Sequence, residues 1–390
     1  MTNTTRRTLL GAILMILVLL IANVFCVSDA SAQSRRAGKK KAAAEVEEAA
    51  EEAEETTEEA EEAPAKKGAK TGKSKKAAAE PVVNAEDAAG EELDEDLGVK
   101  GEDEEVIEEP DENAPLPKPT VITGKALQTK DGVLLSMQYY ASNKGKRAVP
   151  IILIHSWEGS RKDFSVLAPY LQENGFAVFV PDMRGHGEST KREIAKEQYE
   201  EIELKRFDSS AFNAMLMQDL QAIKRFIRLE NNRGMLNVNK LCVVGIGEGA
   251  LLASTFASTD WSIKKRKKNS LEGDIQAVTM ISTPKNAKKL KFADTLLPIS
   301  GWNANFSYLF LSGKDNDKKI ENVKTMETTI RKKLAKRNKD LMENVFAVEL
   351  KAELQGPKLI ADGESESLKL ILEFFDRRSK SRDIPWEKRD

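Results

Sequence analysis

Residues 241–253 read Leu-Cys-Val-Val-Gly-Ile-Gly-Glu-Gly-Ala-Leu-Leu-Ala. The apolar run Leu241 to Val244 suits a strand buried on both faces, as strands of parallel sheets are. It breaks into three alternating glycines and resumes as Ala250-Leu251-Leu252-Ala253, which has helical character. A buried strand, a sharp turn and a helix that begins on small residues form a unit of a mixed α/β sheet. Gly247 stands at the centre of that turn, and glycine adopts positive φ there without a steric penalty.

The remaining organisation follows from charge and hydropathy. The first 32 residues read as a secretory signal, with Arg6 and Arg7 before an apolar stretch from Leu9 to Ala22. Ala30-Ser31-Ala32 supplies a small-residue cleavage site. Thr5-Arg6-Arg7-Thr8-Leu9-Leu10 also resembles a twin-arginine signal. If it stays uncleaved, Leu9 to Val27 is almost long enough to act as a membrane anchor. The expected location is outside the cytoplasm, in the periplasm, the envelope or the medium.

Residues 33–118 consist of Ala, Glu, Lys, Pro and Gly with almost no large apolar side chains. They bury too little surface to offset the entropy of ordering, so a disordered linker is expected. The linker holds 13 basic and 27 acidic residues, a net charge of −14, whereas 119–390 holds 46 and 35, a net of +11. The near-neutral total of −2 therefore hides an acidic linker on a basic domain. Its simplest use is as a solubilising tether. A sharper one is to compete with an anionic envelope polymer or protein for the basic clusters Lys264 to Lys268, Lys285 to Lys291 and Arg331 to Lys339. Those clusters lack interleaved aromatics, which argues against nucleic acid. Of the two cysteines, Cys26 lies in the signal and Cys242 in the buried run, so no internal disulfide remains after cleavage.

From Pro119 onward strands alternate with helices. Val121 to Thr129 and Val133 to Ala141 flank Lys130-Asp131-Gly132, a hairpin signal. Val149 to His155, Phe176 to Pro181, Ile275 to Ile281, Tyr308 to Ser312 and Val345 to Leu350 read as further strands. Phe164 to Asn174, Asp208 to Glu230, Ile320 to Lys336 and Glu366 to Arg377 read as helices. The insertion from Thr190 to Phe207 is the one candidate for a small lid.

Three motifs in chain order carry a family resemblance. They are His155-Ser156-Trp157-Glu158-Gly159-Ser160 after one strand, Asp182-Met183-Arg184-Gly185-His186-Gly187-Glu188-Ser189 after the next, and the glycine turn at 245–249. Residues 121–375 resemble the α/β-hydrolase superfamily, nearest its esterase, serine-peptidase-like and dienelactone-hydrolase branches with little cap. The resemblance implies a mostly parallel, doubly wound sheet of about eight strands over 119–378, followed by a polar tail at 379–390. It also implies a nucleophile at the central turn residue, an acid, a histidine and a backbone oxyanion hole.

The triad is expected to be degenerate. Gly247 stands where the resemblance puts the nucleophile. Asp362-Gly363 stands where it puts the histidine and its following glycine, and an ionised carboxylate is too weak a base to activate a hydroxyl. Asp315, or alternatively Asp317, matches the acid. Trp157 and Glu248 are the residues whose backbone N–H groups match the oxyanion donors, so a ligand pocket formed with His155 and Ser156 can outlast the chemistry. His155 and His186 are expected to be held in local hydrogen bonds.

Ser156 and Ser282-Thr283 are the candidates for a displaced nucleophile, and buried Cys242 is expected to be inert. Two histidines in separate turns offer no metal-ligand set, and no cofactor motif is present. The sequence thus points to a catalytically inactive hydrolase fold that binds a small molecule or an anionic partner. An active serine hydrolase with a moved nucleophile and a tethered structural protein of the envelope are the alternatives.

Overall fold

The computed structural model describes residues 111, 113–204, 208–264, 273–287, 290–296, 305–314, 323–334 and 339–389. The expected signal, nearly all of the acidic linker, Asp315, Asp317 and parts of the basic clusters lie outside the described residues.

The described elements are β1 (Thr120–Ile122), β2 (Val133–Leu134), β3 (Ser136–Tyr140), β4 (Val149–Ile154), α1 (Leu167–Glu173), β5 (Phe176–Asp182), β6 (Lys191–Ala195), β7 (Gln198–Glu201), α2 (Ser209–Ala214) and α3 (Leu220–Asn232). They continue with β8 (Leu241–Ile246), α4 (Glu248–Lys264), β9 (Ile275–Ile281), β10 (Asn286–Ala287), β11 (Leu290–Lys291), α5 (Phe292–Thr295), β12 (Ser307–Gly313), α6 (Val323–Leu334), β13 (Val345–Leu350) and α7 (Glu366–Phe375).

Eight strands form one sheet in the order β1-β3-β5-β4-β8-β9-β12-β13. β3 runs antiparallel to β1 and to β5, and every pairing from β5 to β13 is parallel. Every residue of β4, β5, β8, β9 and β12 is buried, as expected of strands covered by helices on both faces. On one face, Leu220, Ile223, Phe226 and Ile227 recur at helical spacing along α3 and pack with α4 and α6. On the other, α1 presents Leu167, Ala168 and Leu171, and α7 presents Leu368, Ile371 and Phe375. The doubly wound sheet read from the sequence is therefore the observed architecture.

The long helix expected over 208–230 is divided. Asp208 caps its start by accepting the Ala211 N–H at 2.8 Å, and a π turn at Met215–Asp219 separates α2 from α3. Within the lid candidate at 190–207, the described residues contain a hairpin, β6–β7, which extends β2 into a separate three-stranded sheet. The polar segment after the last helix is fastened to the body over 379–389, through bonds described below. Among the described residues no helix is long and apolar enough to cross a membrane.

Candidate functional site

The turn between β8 and α4 is held by contacts at its flanks. A Cβ on Gly245 would stand 2.3 Å from the Gly249 carbonyl oxygen, and one on Gly249 would stand 2.4 Å from the His155 carbonyl oxygen. Neither position accepts a side chain, because strand, helix and the turn after β4 meet there backbone to backbone. Gly247, at the tip, has φ +56°. A Cβ there would meet only Ser156, with its Cβ at 3.1 Å and its Cα at 3.9 Å. Gly247 itself donates its N–H to the Ile281 carbonyl at 3.0 Å.

Around this tip His155, Ser156, Trp157, His186, Glu248 and Gly249 share a cleft with Ile154, Met183, Phe212, Met215 and Leu252. Its volume is about 10 Å³, room for a single water at most. Of the expected site residues, the structure brings Gly247, His155, Ser156, Trp157 and Glu248 together.

Neither histidine in the cleft is presented as a base. His155 is buried, its Nε2 accepts the Met183 N–H at 3.0 Å, and its Nδ1 lies 2.7 Å from the Ser156 carbonyl. The first bond leaves the proton on Nδ1, which donates to that carbonyl. Burial holds the ring neutral and pushes its pKa down to about 4. His186 faces carbonyl oxygens with both nitrogens, Arg184 O at 2.9 Å and Trp157 O at close range. The two imidazoles lie 5.0 Å apart, and His186 packs edge-on against the Trp157 indole.

The expected oxyanion donors are also partly engaged. The Trp157 N–H donates to the Glu248 carboxylate, with Oε2 at 3.3 Å, so a negative charge of the protein sits where an oxyanion would be received. The Ser156 hydroxyl has no hydrogen-bond partner among the described residues.

A second layer positions the Asp182–Ser189 segment. Asp182 accepts the N–H groups of Arg161 at 2.8 Å and Glu188 at 3.1 Å. Arg184 reaches Asp131 on one side, with Nη1 at 2.6 Å, and buried Asp219 on the other, with Nε at 2.9 Å and Nη2 at 2.7 Å. Burial raises the Asp219 pKa to about 6 against the opposing pull of Arg184. Asp219 ends the π turn whose first residue, Met215, lines the cleft.

The family model for the alpha/beta hydrolase fold matches residues 149–345. The chain belongs to that family. Among solved structures it is similar to an esterase from Pyrococcus furiosus, at 16% identity and TM-score 0.45, with 67% of this chain and 93% of that one covered. It is also similar to a dienelactone hydrolase from Anabaena variabilis, at 11% identity and TM-score 0.43, covering 68% and 100%. A Pyrobaculum calidifontis esterase aligns at 12% identity and TM-score 0.44, covering 68% and 86%. A search of the curated proteins finds no match.

Within this alpha/beta hydrolase fold the loop after β13 departs from expectation. Asp362 is exposed, and among the described residues its carboxylate accepts only the nearby Glu364 N–H, at 3.1 Å. The residue of this loop that approaches the turn is Gly356, with Gln355 beside it. A Cβ on Gly356 would lie 3.9 Å from the Ile246 side chain, next to Gly247. The Gln355 amide accepts the Ser282 hydroxyl at 2.6 Å and donates to the Gly313 carbonyl at 2.9 Å. Ser282, at φ +49°, also accepts the Gly356 N–H at 2.7 Å. Its hydroxyl thus ties the loop to the end of β9 and is not exposed as a nucleophile.

The sequence reading missed Gln355. The only local signal for it is an X-Gly pair followed by Pro357, closer to the last strand than Asp362-Gly363 is. Cys242 is buried, and burial pushes its thiol up to about 12, which leaves it unreactive.

Proposed function

We propose that this chain is an exported alpha/beta hydrolase fold protein without hydrolytic activity, and that it uses the cleft beside Gly247 to bind a small ligand. One observation carries the proposal: the tip of the turn has no side chain, and Ser156 packs against the space that a nucleophile would need. Support also comes from the two histidines, whose ring nitrogens are all turned to the main chain. The Glu248 carboxylate on the Trp157 N–H adds to it, since a fixed negative charge opposes a developing oxyanion. In this reading Gln355, not Asp362, occupies the histidine's place, and a carboxamide cannot accept the nucleophile's proton. A ligand enters only after the closed cleft widens, through movement of Phe212 or Met215 on the segment 209–219. The export reading rests on residues 1–32 alone.

The test is labelling of the purified protein with a fluorophosphonate probe. No adduct is expected. An adduct mapped to a serine would overturn the proposal.

One observation favours a second reading, an active serine hydrolase with a displaced nucleophile. Ser156 lines the cleft beside the turn, and its hydroxyl has no hydrogen-bond partner among the described residues. That reading requires an adduct on Ser156 that disappears in Ser156→Ala.

A further inference from the structure

The segment after α7 crosses the end of the sheet where the parallel strands begin, opposite the Gly247 turn. Lys380 donates to the Asn174 carbonyl before β5 at 2.8 Å. Arg382 reaches the Asn305 carbonyl before β12, at 2.8 Å, and Gln276 in β9, at 3.1 Å. Lys146, before β4, lies 4.9 Å above the Trp386 ring. Residues 381–387 alternate in exposure, with Arg382, Ile384 and Trp386 turned partly inward, as an extended chain does.

The receiving surface is a set of asparagines at the end of α3 and before β8. Asn237 donates to the Ile384 carbonyl at 2.9 Å, Asn239 to Pro385 O at 2.9 Å and Asn231 to Glu387 O at 2.9 Å. Asn232 accepts the Arg389 N–H at 2.8 Å and donates back to the Arg389 carbonyl. Two of the donors are set in advance by the body. The Asn231 Oδ1 accepts the Val238 N–H at 3.0 Å, and the Asn237 Oδ1 accepts the Asn239 N–H at 3.0 Å. These two amides are thereby fixed with NH₂ turned toward the segment, whereas the oxygens of Asn232 and Asn239 accept from Arg389 of the segment itself. Nearly all these bonds go to main-chain atoms, which any extended peptide offers. Side-chain selection rests on three anchors: the Arg382 guanidinium on Gln276 and the Asn305 carbonyl, the Trp386 indole N–H on the Asn231 carbonyl at 3.1 Å, and Arg389 on Asp274 at 3.1 Å.

We propose that Asn231, Asn232, Asn237 and Asn239 form a docking groove for an extended peptide, and that residues 382–389 are a detachable occupant held there in cis. The groove recognises main-chain carbonyls through carboxamides, two of them pre-aligned, with the Trp386 indole flanked by guanidinium anchors at Arg382 and Arg389. The chain's own segment fills it at high effective concentration, so an outside peptide binds only when the cis anchor is weakened.

The experiment uses the full chain, its Trp386→Ala variant and a fluorescent peptide of residues 380–390. Anisotropy reads peptide binding, and hydrogen exchange over 382–389 reads release of the segment. The expected result is faster exchange in Trp386→Ala and saturable peptide binding at least tenfold tighter than to the unaltered chain. Adding Asn232→Ala to Trp386→Ala is expected to abolish that binding, with circular dichroism reporting that the fold is retained. Three outcomes overturn the proposal: a released segment with no peptide binding, equal binding to both proteins, or exchange that does not respond to loss of the indole.

Discussion

The Ser156 Cβ lies 3.1 Å from the point where a Cβ on residue 247 would stand, and Gly247 is held at φ +56°. The two positions share one volume. Gly247→Ser therefore crowds Ser156 and places an L residue in the left-handed region, at an expected cost of about 1–3 kcal/mol. Ser156→Gly alone is expected to cost less than about 1 kcal/mol. The double variant should recover part of the loss, a coupling that urea denaturation of all four proteins can measure. Strict additivity would mean that the two sites do not compete for space.

Restoring a nucleophile is not expected to restore chemistry. Gly247→Ser should stay unlabelled by a fluorophosphonate, because His155 and His186 are both committed to main-chain partners. On the proposal that Gln355 holds the histidine's place, Gly247→Ser combined with Gln355→His is expected to label faster than Gly247→Ser with Asp362→His. The reverse order would return the vestigial position to Asp362.

His155 makes stability depend on pH. Its pKa is about 4 in the folded domain, held down by burial, and near 6.5 in an unfolded chain. Between those values the unfolded state binds a proton that the folded state refuses, so this group withdraws stability as pH falls. The loss amounts to roughly 3 kcal/mol by pH 4. Asp219 works the other way, because burial raises its pKa to about 6 and the folded state takes up that proton first. The bare pH profile therefore mixes opposing slopes, and His155→Gln separates them. The stability gap between the unaltered protein and this variant is expected to widen as pH rises from 4 to 6.5. A gap independent of pH in denaturant titrations would show that His155 is not buried neutral.

Lys224 bridges two buried carboxylates. Its ammonium contacts Asp260 closely and Asp274 at 2.8 Å, and all three side chains are at most 13% exposed. Asp260 in turn accepts the N–H groups of Asp274 at 2.7 Å and Ile275 at 3.1 Å, tying α4 to the start of β9. Lys224→Met leaves the buried Asp260 carboxylate without its cation and Asp274 with Arg389 alone, with an expected loss of about 3–5 kcal/mol in thermal or urea unfolding. A variant within 1 kcal/mol of the unaltered protein would contradict the buried triad.

The central strands were legible because burial on both faces leaves runs such as Val149–Ile154 without polar residues. The turn at 245–249 was legible because close backbone contact admits only glycine at its flanks. Asp362 and Gln355 illustrate the limit. Two X-Gly pairs lie seven residues apart in one loop, and the short helical turn at Gly356–Ile360 decides which of them meets Ile246. No local pattern reports that routing. The C-terminal segment was read as a tail for a related reason. Its fastening runs mostly through main-chain carbonyls, to which composition is blind.

The glycine turn also separates two kinds of constraint that an enzyme usually merges. Gly245 and Gly249 are locked because a Cβ on either would fall within 2.4 Å of a backbone oxygen, while a Cβ at the tip between them would meet a single small side chain. Chemistry at residue 247 can therefore be deleted without disturbing the joint between sheet and helix. For a lineage, such a scaffold is a durable frame with an open post: what residue 247 carries can change while every other dimension of the molecule stays in service.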